Sequence, residues 1–193
     1  IGRIPLYLLD ANILQNTQQI RDVTARLYTG DGRVRLSQEI LLGVGGMQAL
    51  AKLGLFPKVV HMNEGHSAFS SIERVAQIME HFGVDLNTVL EIVPRSTVFT
   101  THTPVPAGHD EFPIDLVKPV LKPFASRLGA SVEQILSWGQ PSASAADAPM
   151  SMFVLGLRMA EHCNGVSRLH GQVARKMWSY VWPNRNVEEV PIS

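Results

Sequence analysis

A single cysteine, Cys163, leaves this sequence no means of closing an internal disulfide, which fits a reducing cytoplasm. Cys163 falls in an apolar helical run and reads as a buried, inert thiol. Net charge is also absent, since 17 Lys and Arg balance 17 Asp and Glu. That balance argues against nucleic acid or an anionic membrane as the main partner, while leaving room for a local basic pocket. No apolar run approaches the ~18 residues of a membrane span, and no signal-peptide pattern opens the chain. The G-x-x-x-x-G-K-[ST] phosphate loop is missing, and without a G-x-S-x-G elbow serine-hydrolase logic fails. Of the three tryptophans, Trp138, Trp178 and Trp182, none falls on an exposed strand face of the kind that stacks sugars.

What is present suffices for one compact domain: 193 residues, 45% hydrophobic and 18% charged. The chain starts at Ile1 without an initiator Met, goes straight into an apolar strand pattern and stops in another, so a piece of a larger protein is expected. Five short apolar runs predict strands at 4–9, 58–63, 96–101, 165–169 and 189–192. Runs of helical period lie between them, at 37–54, 68–82, 85–92, 114–128 (interrupted by Pro119 and Pro123), 131–138, 149–163 and 171–182. Ser37 and Ser131 are the expected N-caps, and Gly54 and Gly83 the expected helix stops. Gly43-Val44-Gly45-Gly46 lies inside a helical pattern and predicts close helix packing rather than a phosphate cradle. Residues 140–148, rich in Ser and Ala, read as a loop. Alternating strands and helices, with strands apolar on both faces, predict an α/β fold: a Rossmann-like parallel sheet with helices on both faces.

Chemistry-bearing residues gather where strands give way to helices, the usual ligand position in such sheets. The first cluster is Asn63, Glu64 and His66, at the end of the strand 58–63. The following helix N-terminus offers free N–H groups to an anion or a sugar oxygen. A helix-capping Glu64 and a hydrogen-bonded structural His66 are an equally simple account. His61 and His66 flank Glu64, but not at H-E-x-x-H spacing, and His61 lies within the strand, so no metal site is expected. The second cluster is Thr100-Thr101-His102-Thr103-Pro104, with Pro104 and Pro106 stiffening the exit. A rigid loop holding an imidazole suits recognition of a hydroxyl or stabilisation of developing charge; a hydroxyl-rich turn is the simpler reading. His109, Asp110 and Glu111 are expected to begin the next helix. The third cluster is Asn164-Gly165-Val166-Ser167-Arg168-Leu169-His170-Gly171, which reads equally as a tight turn.

Taken in order, four segments resemble the α-glucan phosphorylases (glycogen, starch and maltodextrin phosphorylases), most closely the shorter bacterial and archaeal branch. They are Arg26-Leu27-Tyr28 through Arg35-Leu36-Ser37-Gln38-Glu39, His61 through Ala68, Thr100 through Asp110, and Asn164 through His170. The resemblance covers nearly the whole chain. It implies part of the N-terminal domain of a GT-B glycosyltransferase, with the active site in a cleft between two Rossmann-like domains. It also implies transfer of a terminal α-1,4-linked glucosyl unit to inorganic phosphate, with retention, giving glucose 1-phosphate. The family's cofactor is pyridoxal phosphate, whose phosphate assists proton transfer and whose Schiff-base lysine sits in the C-terminal domain. That domain's Thr-Gly-Asn-Met-Lys motif is not found here, so this chain is expected to lack the cofactor-binding domain and to be inactive alone.

By the same resemblance, His102 and Glu64 are the catalytic candidates and Asn63, His66 and Thr103 the substrate-binding ones. His102 matches a histidine that hydrogen-bonds the glucosyl unit. Glu64 and His66 match an acidic residue and a histidine lining the same pocket. The larger animal and plant enzymes have Asp-Thr-His where this chain has Glu64-Gly65-His66, which weakens the role carried over to Glu64. Tyr28, Arg35 and Glu39 are further cleft-facing candidates, and Arg168 and His170 are expected at the cleft floor. Gly30-Asp31-Gly32 falls at a flexible loop of the family that is shorter here. Expected partners are α-1,4-glucan, phosphate, the C-terminal domain and, because members are often dimers, a second copy. Two other functions stay open: a sugar-nucleotide-dependent glycosyltransferase resembling glycogen synthase, and a non-catalytic carbohydrate-binding module.

Overall fold

The computed structural model describes residues 2–27, 30–105, 109–141 and 147–193. Three strands, β1 (Val60–Asn63), β2 (Thr97–Thr101) and β5 (His162–Gly165), form a parallel sheet in the order β1-β2-β5. Two-residue strands β3 (Glu111–Phe112) and β4 (Met150–Ser151) make a small antiparallel pair. The helices are α1 (Gln18–Arg21), α2 (Gly32–Ile40), α3 (Gly46–Lys52), α4 (Phe69–Phe82), α5 (Leu86–Arg95), α6 (Ile114–Leu128), α7 (Val132–Ser137), α8 (Met152–Arg158) and α9 (Arg168–Trp178). The protein is thus α/β, with a parallel sheet flanked by helices. Among the described residues no helix is long and apolar enough to cross a membrane.

Local chemistry sets most boundaries. Asp85, Ser131, Ser151 and Ser167 cap α5, α7, α8 and α9 by accepting from backbone N–H groups of the first turn. Gly83 and Gly129 end α4 and α6 in left-handed backbone, at φ +65 and +61. Pro119 and Pro123 stay inside α6. Four residues apart, they share its exposed face, where the carbonyls they leave unpaired meet water. The long helix expected over 37–54 starts earlier, at Gly32, because Asp31 and not Ser37 is its cap. Ser37 Oγ instead bonds back to Arg33 O at 2.9 Å. A π-helical stretch, Leu41–Gly45, joins α2 to α3. Gly43 packs there directly on α4: a Cβ on it would lie 2.7 Å from Ser70 N.

Three expected strands are corrected. Residues 5–13 carry no regular secondary structure, and Leu6 and Leu8 are 62% and 84% exposed. A short apolar run does not make a strand without a neighbouring ladder. The run 165–169 is a strand end and a helix start, because Ser167 caps α9 and the strand itself lies at His162–Gly165. That strand occupies the end of the helix expected over 149–163, which breaks into β4, α8 and β5. The apolar core of this run, Met150 to Leu157, hides the change of period. Val187–Glu189 is a 3-10 turn closed by an Asn186–Glu189 capping box, and only Ile192 bridges to Cys163.

Met62, Phe99 and Cys163 form one row across the sheet and pack on Phe153, Leu157, Ala174 and Trp178 of α8 and α9. A larger core gathers Phe69, Ile72, Val89, Val93, Leu121, Phe124, Ile135, Met152 and Leu155 from α4–α8. Burial pushes the Cys163 thiol up to about 12, so it stays protonated and unreactive at neutral pH. The next row, Asn63–Thr100–Asn164, is polar, points to the opposite side of the sheet and marks the carboxyl ends of all three strands.

Candidate functional site

The chain reverses from β1 into α4 through Glu64, whose φ of 62 and ψ of −174 lie in a region almost confined to glycine. It is the one non-glycine with positive φ among the described residues. The side chain explains how this conformation is held. Glu64 Oε1 accepts from His102 N at 2.6 Å, Thr103 N at 2.8 Å and Thr101 Oγ1 at 3.1 Å, while Glu64 N donates to Thr100 O at 2.9 Å. Glu64 is 2% exposed. Gly65 then lets the turn lie on α8, since a Cβ on it would come within 3.0 Å of Met152 and Phe153 backbone atoms. A buried carboxylate therefore clamps the loop leaving β2 to the end of β1.

The structure brings Glu64 and His102 together, with His102 Nδ1 3.7 Å from Glu64 Oε1. The His102 side chain is 49% exposed, so its imidazole faces outward while its backbone is held. Asn63 is exposed and Thr103 half-buried beside it. Below them runs a polar relay on the sheet: His61 Nε2 lies 2.7 Å from Thr100 Oγ1, which donates to Asn164 Oδ1 at 2.9 Å. His61 is not among the residues whose side chains gather around His66.

His66 belongs to a second cluster with Arg35, Glu39 and Asp110. Arg35 Nη2 lies 2.6 Å from His66 Nδ1, 2.7 Å from Asp110 Oδ2 and 3.3 Å from Glu39 Oε1. A guanidinium only donates, so the first contact requires a bare lone pair on Nδ1. Protonated, the imidazole would instead offer Nδ1–H to Asp110 Oδ2, 3.3 Å away. Hydrogen bonding to Asp110 and then Glu39 raises the His66 pKa to about 9, against burial and the charge of Arg35. Burial opposes ionisation of Asp110, yet bonds with His66 and Arg35 hold its carboxyl far below the usual range. Glu39, 1% exposed, is pushed up to about 8, chiefly by burial. Ligand atoms of Glu39, His66 and Asp110 lie within 4.8 Å of one another. Arg35 already supplies the positive charge at their centre, an arrangement unlike a metal site.

Asp110 and His109 do not begin a helix, contrary to the sequence expectation. They precede β3, and α6 starts only after Pro113. Asp110 joins the Arg35–His66 cluster and His109 lies against Glu64, so two consecutive residues tie the two halves of the site together. Arg35 and Glu39, weak candidates in the sequence, are central to it; their i,i+4 spacing was the readable signal. Tyr28 lies outside the described residues. Arg168 is exposed at the start of α9, and His170 packs against the end of β5, 2.9 Å from the place a Cβ on Gly165 would take. Gly30-Asp31-Gly32 is a helix start, with Asp31 Oδ1 accepting from Arg33 N at 2.8 Å.

No family model matches the chain. Similarity to individual proteins is extensive. The whole chain aligns, 43% identical over 203 residues, with 23% of a protein named glycogen phosphorylase from Mycobacterium tuberculosis. It is 40% identical over 192 residues to 22% of a protein named maltodextrin phosphorylase from Thermococcus litoralis. A protein named glycogen phosphorylase from Aquifex aeolicus is 30% identical over 96% of the chain and 26% of its own length. The chain spans about a quarter of the length of these curated relatives.

Proposed function

Because this chain belongs to the glycogen and maltodextrin phosphorylase family as a stretch of its members, we propose that the full-length protein is an α-1,4-glucan phosphorylase. It would transfer terminal glucosyl units to inorganic phosphate and release glucose 1-phosphate. The observation that carries this reading is identity of 43% along the entire chain. The stretch is one partial Rossmann-like domain forming the glucan side of the cleft, and the cofactor-binding domain lies in the remaining polypeptide. A cytoplasmic enzyme with no nucleic-acid or membrane partner, assembling as a homo-oligomer, completes the proposal.

In this reading the chain binds and orients the sugar. His102 presents its exposed imidazole to a sugar hydroxyl from a backbone fixed by Glu64, and such preset donors need little rearrangement as charge develops at the reacting carbon. Asn63 and Thr103 flank it and contribute hydrogen bonds to the glucan, while His66, its Nδ1 facing Asp110 beside Arg35, lines the pocket. Glu64 acts by holding this loop, because its carboxylate is buried. Pyridoxal phosphate supplies acid–base assistance through its phosphate when bound. The chain's lysines, Lys52, Lys58, Lys118, Lys122 and Lys176, are not among the residues that build the site, so the residues present do not fit a Schiff-base partner. No step of this chain's chemistry is routed through the cofactor.

The test is phosphate-dependent release of glucose 1-phosphate from maltodextrin by the full-length protein, with His102→Ala beside it. The expected result is robust release by the parent and loss of roughly 100-fold in kcat in the variant. No release with phosphate, combined with glucosyl transfer from a sugar nucleotide, would establish the synthase-like alternative instead. Unchanged turnover in His102→Ala would remove the role given to His102.

A further inference from the structure

We propose that His109 is a positioning residue for His102, acting through the buried carboxylate of Glu64. This rests on the phosphorylase reading of the site and adds a residue to it. Glu64 Oε1 is saturated by three donors, yet Oε2 is buried with no hydrogen-bond partner among the described residues. A carboxylate oxygen in that position calls for a donor. His109 Nδ1 faces it at 3.7 Å, and both side chains are nearly sealed from solvent, at 4% and 3% exposure.

The imidazole of His109 is fixed from behind. Its ring centroid lies 4.2 Å from that of Phe153 on α8 and 4.9 Å from that of Trp178 on α9. Those two rings stack on each other at 3.9 Å and 15°, which makes a stiff aromatic wall. The titratable neighbours of His109 are Glu64, His66, Asp110 and His102. Burial pushes its pKa down, so the ring is neutral and carries one N–H. The facing carboxylate selects the tautomer with that proton on Nδ1. A 3.7 Å separation is longer than a formed hydrogen bond. Contacts in ligand-free sites are commonly long and tighten when substrate binds. Closing it fixes both oxygens of Glu64, and with them the His102 and Thr103 amides that hold the loop.

The test compares two substitutions in the full-length enzyme. His109→Phe keeps the aromatic packing but has no N–H; His109→Asn places an amide N–H near the Nδ1 position. His109→Phe is expected to lower kcat about 10- to 100-fold, with KM for maltodextrin little changed, through misplacement of His102. His109→Asn is expected to recover most of that loss. In a Glu64→Gln background the His109→Phe effect should shrink. Imidazole 15N shifts of the parent should show His109 protonated at Nδ1 and change in Glu64→Gln. Parent-like kcat in His109→Phe, equal losses in both variants, or a proton on Nε2 would each overturn the proposal. If the parent itself gives no phosphorolysis, the phosphorylase reading is what fails, and the 15N measurement still decides the His109–Glu64 contact.

Discussion

Asp110 Oδ2 accepts two hydrogen bonds from Arg35, at 2.7 Å from Nη2 and 3.1 Å from Nε, across 75 residues of sequence. The pair ties the segment before β3 to helix α2 and so sets one wall of the site. Lysine cannot reproduce the planar two-nitrogen grip, nor reach His66 and Glu39 from the same headgroup. Arg35→Lys is therefore expected to lower stability by roughly 1–3 kcal/mol, the cost of leaving part-buried charged groups short of donors. Thermal unfolding of the full-length protein with and without the substitution measures it. A midpoint unchanged by Arg35→Lys would show that the cluster adds nothing to stability.

That same separation shows why the sequence discloses some of this site and conceals the rest. The Ser131 cap is legible because its side chain bonds a backbone group three residues away, whereas the same reasoning chose Ser37 where Asp31 is the cap. The strand ends at Asn63 and Thr101 are legible from short apolar runs, which is how the polar residues beyond them could be grouped. The role proposed for His102 rests on family resemblance, with no contribution from periodicity. The clamp by Glu64 was not visible, because its donors come from another strand through tertiary pairing. Asp110 was lost to a local helix reading for the same reason. The stretch from Met150 to Cys163 misled because β4 and α8 are buried almost throughout, which hides the boundary between them; exposed Glu161 and His162 alone mark the turn into β5.

Gly43 gives a packing prediction with an internal control. Its Cβ would meet Ser70 N at 2.7 Å and Phe69 Cβ at 2.9 Å, both on or beside the α4 backbone and unable to swing away. Gly43→Ala should therefore cost about 1–3 kcal/mol through overpacking. Gly30, with nothing within 4 Å of a new Cβ, should accept alanine within about 0.5 kcal/mol. Chemical denaturation of both variants separates close helix contact from a general effect of replacing glycine.

At Glu64 two effects can be separated by the choice of replacement. Alanine and glycine both lose the acceptor for His102 N, Thr103 N and Thr101 Oγ1. Only glycine also relieves the backbone at φ 62 and ψ −174. Glu64→Gly should consequently be more stable than Glu64→Ala by about 1–3 kcal/mol, although both should lose turnover. Equal stability of the two variants would mean that the turn carries no strain and that the clamp acts only on the His102 loop.

Glu39 makes the pH dependence predictable in sign. Its carboxyl rises from 4.5 to about 8 on folding, chiefly through burial, so the folded state holds this proton more tightly than the unfolded chain. The associated stability is complete below about 4.5 and is lost as pH climbs to about 8. His66, raised from 6.5 to about 9 by Asp110 and Glu39, acts in the same direction and loses its contribution between those values. Asp110 has the opposite sign, but its range lies in acid, below 3.8. The Glu39 and His66 contributions should therefore decline from pH 5 to 9, with a slope from Glu39 of at most about 1.4 kcal/mol per pH unit. Glu39→Gln keeps the shape of the neutral acid and has no proton to lose. His109, whose pKa burial lowers from 6.5, adds stability to both proteins as pH rises to that value, so the Glu39 effect is read as a difference: the parent's midpoint should fall relative to the variant's from pH 5 to 8, and the variant should be the more stable protein at pH 8. Midpoints recorded for both across that range decide the matter: parallel curves would mean that Glu39 is ionised in the folded protein throughout, with Arg35 paying for its burial.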